Sequence, residues 1–391
     1  MGELFEKRKQ NLYDAIAFKE PEKVPVGVQM MNWAFYYAGT TYRDVLGDVD
    51  KTVEAFTKHL RDFDFDYVHS GISSPIDVYL AIGSQNYVFS SDGVAVEHNE
   101  TQMKYMSLED YDLLINDYAN FTSKILPKRN AILLNLPFGE AYERFKKAAR
   151  AALNNAEISA RIKEVTTARE FIVPFANSVT PGYMSPFNLI FDRFRGIKNA
   201  MADIRRHAEL VDDACEVLLQ NTLRMNPQFA NPKDHYDAYP LARATCHSEC
   251  FLNTKQFEKY FMKPFKEHYM QFVERGGRYY MRGEGQFKWN IEVMRDLPVG
   301  TMTIMLDMDD PFETYPIMKD RMPIATGINS NLLQFGTKED CVDYLKKCFD
   351  AFAPGGGFIV AQNAGLLSSK DAKIENYIAT YEAANELSWK K

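Results

Sequence analysis

The clearest periodicity lies in the last third of the chain. Phe257, Phe261, Phe265, Tyr269 and Phe272 recur every three or four positions, which predicts a helix over 254–275. An apolar run at 278–281 predicts a strand, and a helical pattern returns around 289–295. The strand predicted at 301–306 is tipped by Asp307, Asp309 and Asp310, and the next, at 323–326, by Asn329 and Asn331. Thr337-Lys338-Glu339-Asp340 reads as a capped helix start with an acidic first turn, running to about 352. Pro354-Gly355-Gly356-Gly357 breaks that helix; the glycines precede a strand, so they read as a terminating turn and not as a phosphate loop. A strand over 358–361, tipped by Gln362 and Asn363, and a helix over about 372–386 complete four successive strand–helix units.

The first part keeps the rhythm less regularly. Strands are predicted at 24–31 and at 67–70, the latter ending in His69-Ser70, with a helix at 52–63 between them. Alternation around Ser90-Ser91-Asp92-Gly93 predicts a β-hairpin, and 107–168 reads as helical. Together these form an insertion over about 86–168. A third strand is expected at 171–175, ending near Asn177 and Ser178, and a fourth at 243–250, with helices over 186–225 between them. About eight strands separated mostly by helices predict a single (β/α)8 TIM barrel spanning 1–391. A doubly wound open sheet is the alternative, but no Gly-x-Gly-x-x-Gly follows the first strand.

Composition narrows the function. At 46% hydrophobic, 391 residues can fill a large core, whereas a net charge of −7 argues against nucleic acid or an anionic membrane as principal partner. Residues 1–22 lack an apolar h-region and no window is long and apolar enough to span a bilayer. The five cysteines are few and irregularly spaced. A cytoplasmic protein with reduced thiols is expected.

Strand tips supply the candidate chemistry. Arg282 and Glu284 are two residues apart, so they face one space together at the C-terminal end of their strand, where barrels place their sites. Glu284 is the expected acid or base, Arg282 the group that orients an anionic or ring-edge partner, and His247 the assisting proton carrier. Gln29, Asn32, His69, Asn177, Glu249, Asp307, Asn329, Asn331, Gln362 and Asn363 are the expected substrate contacts at the other tips. Each has a structural alternative: an ion pair closing the mouth for Arg282 and Glu284, a satisfied strand-end imidazole for His247, and turn or cap chemistry for the asparagines.

Taken in order, Glu20-Pro21-Glu22-Lys23-Val24-Pro25-Val26, Gly276-Gly277, Arg282-Gly283-Glu284-Gly285, Gly336-Thr337-Lys338-Glu339-Asp340, Pro354-Gly355-Gly356-Gly357-Phe358-Ile359 and Lys373-Ile374-Glu375-Asn376 make the chain resemble the uroporphyrinogen decarboxylase superfamily. The resemblance implies a (β/α)8 barrel with its cleft at the strands' C-terminal ends. It also implies one of two activities, decarboxylation in haem synthesis or cobamide-dependent methyl transfer in one-carbon metabolism.

Two departures choose between them. The decarboxylases carry an arginine-bearing segment after the first strand; here 24–41 holds no Arg or Lys and reads Gln29-Met30-Met31-Asn32-Trp33-Ala34-Phe35-Tyr36-Tyr37, a neutral aromatic rim without counter-charge for a polyanion. The zinc-dependent, thiol-methylating members carry His-x-Cys where Arg282 and Glu284 stand, and arginine does not ligate zinc. Zinc is therefore not expected, His247 with Cys250 being the nearest alternative ligands. No Asp-x-His-x-x-Gly corrinoid-ligating motif is present, so the corrinoid is expected on a partner protein. The expected activity is methyl transfer between that corrinoid protein and a small acceptor such as a tetrahydrofolate. The alternatives are a metal-independent carboxy-lyase and a non-catalytic tetrapyrrole-binding barrel. A homodimer fits the resemblance.

Overall fold

The computed structural model describes residues 2–69, 75–84, 87–99, 105–125, 127–128, 133, 135–173, 183–225, 241–274, 276–286 and 288–389. Its centre is a six-stranded parallel sheet in the order β10-β9-β8-β7-β6-β5, where β5 is Tyr183–Met184, β6 Ala242–Cys246, β7 Tyr279–Gly283, β8 Met302–Leu306, β9 Ile324–Ile328 and β10 Phe358–Gln362. β1 (Gly27–Gln29) and β2 (Tyr67–His69) form a separate parallel pair. Single parallel bridges extend this pair on both sides: Val26 pairs with Val360 beside β10, and Tyr67 pairs with Ile172. The remaining seam, from Ile172 to Tyr183, crosses 174–182, outside the described residues.

Strand parity divides the core in two. Tyr279, Met281, Met302, Ile304, Ile324 and Val360 face outward into one large cluster, which includes the stacked phenylalanines Phe257, Phe261 and Phe265 of the adjacent helical segment. The alternate residues Tyr280, Met305, Ala325, Ile359 and Ala361 face inward, joining Tyr67, Ile172 and Phe5, Leu12 and Ile16 of the first helix, Glu3–Ile16. That helix closes the N-terminal end of the sheet. The Gly357 N–H, just before β10, donates to the Ala15 carbonyl at 2.8 Å, and Arg278 Nη1, just before β7, donates to the Ile16 carbonyl at 3.3 Å. Among the described residues, apolar side chains occupy that end of the concave face.

The hairpin is observed as β3 (Tyr87–Phe89) and β4 (Val96–His98), antiparallel, and the expected helical stretch contains one long helix, Phe138–Ala168. The Thr337 cap forms a reciprocal box with Asp340. Several strand readings need correction: the first, expected over 24–31, is confined to Gly27–Gln29, and the one expected at 323–326 runs on to Ile328. Of the third, a bridge at Ile172 is described and 174–175 lie outside the described residues, while the two-residue β5 went unforeseen. The fourth stops at Cys246 and turns into a 3-10 helix, Ser248–Phe251. The last runs one residue further, taking in Gln362.

Candidate functional site

The β7 tip organises the concave face. Tyr280, Arg282 and Glu284 alternate onto it, and the Glu284 N–H is fixed to the Cys246 carbonyl at 3.1 Å. Arg282 Nε lies 3.4 Å from Glu284 Oε1, both side chains being about one-quarter exposed (28% each). Their charges pair, but the geometry is not that of a hydrogen bond, and Arg282 Nε is buried without an acceptor among the described residues. Gly285 then reverses the chain at φ +74°, where a Cβ would stand 2.8 Å from Cys250 Cβ; both facts explain the glycine after the glutamate. Its N–H donates to Asp307 Oδ2 at 3.0 Å, locking the β7 tip to the β8 tip.

Three groups flank this pair. His247 Nδ1 sits 2.8 Å from Asp192 Oδ1, on a π-helical turn, Leu189–Arg195. That hydrogen bond is the main reason the imidazole pKa rises above its ordinary value, against burial, with the charges of Asp192, Glu284 and Glu249 adding to it. Arg243, which the sequence reading passed over, shares the inward parity of Thr245, the residue paired with Arg282. Burial first, and then Arg282's charge, lower its pKa, while Tyr280 and Glu284 oppose that. His69 is buried, edge-on to the Tyr280 ring with centroids 5.1 Å apart, and burial followed by Arg243's charge pushes its pKa well down, so it stands neutral. The signal that finds Arg243 is parity: 243, 245 and 247 lie on one strand face.

Glu249 needs correction. Because β6 ends at Cys246, Glu249 is not two residues beyond His247 on a strand. It is buried on the outer side beside Tyr183 and Cys246, with Oε1 accepting from Ser185 Oγ at 2.9 Å. Burial pushes its pKa up to about 7. Cys250 donates to the His247 carbonyl at 3.2 Å, and burial pushes its thiol up to about 11. Among the described residues no three His, Cys, Asp or Glu side chains form a metal-holding group.

At the other tips, Gln362 is buried and accepts from the Gln29 N–H at 2.7 Å, tying β10 to β1. Asn363 donates to the Asp307 carbonyl at 3.0 Å and accepts from the Ser330 N–H at 2.8 Å. Asn329 caps the helix Ser330–Phe335, accepting from the Asn331 and Leu332 N–H groups. Asn32 is fully buried, and Asn177 lies outside the described residues. The aromatic segment after β1 is a packing element, not an open rim: Trp33 and Phe35 are buried, Trp33 against Tyr37 and Tyr377, Phe35 against Tyr42 and Phe56. Among the described residues no helix is long and apolar enough to cross a membrane.

No family model matches the chain, and no curated protein matches it. Among solved structures, a methyltransferase from Methanosarcina mazei aligns over 97% of this chain and 98% of its own, with a TM-score of 0.60 at 12% identity. The two proteins share a fold across essentially their whole length.

The Asp192 contact gives a direct prediction. In Asp192→Asn the His247 pKa falls, read as a downward-shifted imidazole titration by NMR. A His whose pKa is raised by folding contributes stability that is full below its unfolded value, roughly 6.5, and is lost as pH rises through the folded value. Asp192→Asn therefore removes a stabilisation present on the acid side and absent on the alkaline side. An unchanged His247 titration refutes the assignment.

Proposed function

We propose that this protein is a methyltransferase, moving a methyl group between a corrinoid carried on a partner protein and a small acceptor, on a closed (β/α)8 barrel. The observation that carries the reading is the Arg282–Glu284 pair at the open end of the concave face, flanked by His247, in a fold shared with a methyltransferase. Four exposed apolar side chains, Phe251, Trp289, Met308 and Phe335, follow β6, β7, β8 and β9 at that end, which suits a partner presenting a large apolar cofactor. When bound, the corrinoid supplies or receives the methyl group.

The chain's own residues position the acceptor and move one proton. Glu284 takes the proton from the acceptor's heteroatom as the bond from that atom to the methyl carbon forms, and returns it in the opposite direction. Arg282, whose Nε lies 3.4 Å from Glu284 Oε1, orients the acceptor beside that carboxylate. His247, braced by Asp192, relays the proton to solvent. The closed N-terminal end keeps water from that side.

The test incubates the full chain with methylcobalamin or a methylated corrinoid protein and an acceptor panel that includes tetrahydrofolate, following cobalamin absorbance and product mass. Methyl transfer above the enzyme-free rate is expected. Absence of transfer in both directions across the panel, with no corrinoid protein bound, overturns the reading. Carbon dioxide release from a candidate acid, lost in Glu284→Gln, would put a carboxy-lyase in its place.

A further inference from the structure

We propose that two copies of this chain associate through the outward face of the long helix Phe138–Ala168, packed antiparallel about a two-fold axis between Ala149 and Ala152. The inward face of that helix is occupied. Ala148, Ala151 and Ile158 are buried, Asn155 Nδ2 donates to Asp77 Oδ1 at 2.9 Å, and Arg144 Nη1 donates to the Ala81 carbonyl at 3.5 Å. The outward face is apolar and open. Phe138, Tyr142, Phe145, Ala149, Ala152 and Ala156 are all exposed, at alternating spacings of four and three. That spacing is the seam of a coiled coil, a stripe held on one side of a helix to meet another helix. Phe138 is 86% exposed, Phe145 58% and Tyr142 54%, where an ordinary solvent face would carry charge.

The stripe is graded in size, with aromatic rings in its first half and alanines in its second, and the grading says what covers it. Turned end for end, a second copy brings its alanines to the first copy's rings. One register sets Phe145 against Ala156, Tyr142 against Ala160 and Ala149 against Ala152 of the second copy, each twice by symmetry. Large meets small at every layer, which is how close packing is reached. The two-fold also turns each flank of the helix to face itself, and the same register brings Lys146 across from Glu157 of the second copy. Within one chain Lys146 lies 3.0 Å from Glu143 and Glu157 3.7 Å from Arg161, exposed pairs one turn apart that exchange at little cost. A parallel pair would crowd ring on ring and lose the charge match. An anionic bilayer, the other surface that takes an exposed aromatic helix face, is opposed by Glu157, Glu164 and the net charge of −7.

From Phe138 to Ala160 the stripe is about 33 Å long at 1.5 Å per residue. One helix pair of that length covers less than the roughly 800 Å² per partner of a standard interface. A dissociation constant of about 1–100 μM is therefore expected. The inference uses no residue of the concave face and does not depend on the methyl-transfer reading.

Sedimentation velocity of the full chain from about 1 to 300 μM should show monomer giving way to dimer. Ala149→Glu sets like charges at the two-fold crossing and should weaken association by about tenfold or more. Lys146→Glu and Glu157→Lys should each weaken it about three- to tenfold, and the two together should restore it to within about threefold, because opposite charges face each other again. Circular dichroism of each variant verifies its fold. A monomer throughout the range, a dimer that Ala149→Glu leaves unchanged, or a charge-swapped chain as weak as the single variants overturns the proposal. So does a monomer that floats with mixed phosphatidylcholine and phosphatidylserine vesicles and loses this in Ala149→Glu, which would make the face a membrane surface. Dimerisation without any methyl transfer would remove the function proposed above and leave this interface standing.

Discussion

Glu284→Gln is expected to lower kcat/KM for methyl transfer by about 10²- to 10⁴-fold, the usual worth of a positioned proton carrier. The amide keeps the shape of the carboxylate but cannot accept a proton. Stability should change little. The Glu284 side chain is only partly buried, and its contact with Arg282 at 3.4 Å lacks hydrogen-bond geometry, so the pair contributes at most about 1 kcal/mol. The separation of a large rate effect from a small stability effect is the diagnostic. Glu284→Asp retracts the carboxyl by one methylene and should retain more activity than the amide, because the proton can still pass through an intervening water. A Glu284→Gln enzyme within about threefold of the parent rate would assign the proton to another group and leave Glu284 as a charge that steadies Arg282.

The location of this pair could be read directly from the sequence. A two-residue spacing at the end of an apolar run is a local signal, and the strand that carries it extends as alternation requires. The same holds for the helix start at Thr337, whose cap and Asp340 partner are three residues apart, and for the glycine turn at 355–357, where all three residues adopt positive φ.

The errors have tertiary causes. Nothing local ends β6 at Cys246. The break is fixed by Asn188, sixty residues earlier, whose Oδ1 accepts the Ser248 N–H at 2.8 Å and turns Ser248–Phe251 into a 3-10 helix. Glu249 is carried through the sheet to the outer side as a result. Arg243 was missed because, one residue into a strand, a lone arginine reads as a flank. Its meaning appears only when the register sets it diagonal to Arg282. The segment after β1 misled in the opposite way: neutral and aromatic in sequence, it is the short helix Trp33–Tyr37 that packs against Tyr377, more than three hundred residues away.

Asp66→Asn is expected to destabilise the fold by about 3–5 kcal/mol, because it removes the charge from a carboxylate that serves two buried cations. Asp66 is 2% exposed. Its oxygens take Lys23 Nζ at 2.8 and 3.0 Å and the Val26 N–H at 2.8 Å, and Arg8 Nε lies 3.4 Å away. Its backbone is paired as well, to the Val26 carbonyl and to the Ile172 N–H. Lys23 adds the Asn385 side chain, and Arg8 adds Asp64 and the Arg169 carbonyl. The carboxylate thus joins the first helix, the entry to β1 and, through Lys23, the last helix, while the Asp66 backbone holds the Ile172 bridge. The sequence segment Glu22-Lys23-Val24-Pro25 acquires its meaning here, since Lys23 and Val26 both dock on Asp66. Asparagine keeps the size but strands Lys23 in a buried site, while Arg8 retains Asp64. The Lys23→Met, Asp66→Leu pair removes both charges and should be less harmful than Asp66→Asn alone, since the penalty lies in the orphaned ammonium and not in the lost attraction. Urea unfolding midpoints of the three proteins measure this. If Asp66→Asn costs under about 1 kcal/mol, or the double variant is the worse of the two, the network does not govern how β1 and β2 are held at the closed end.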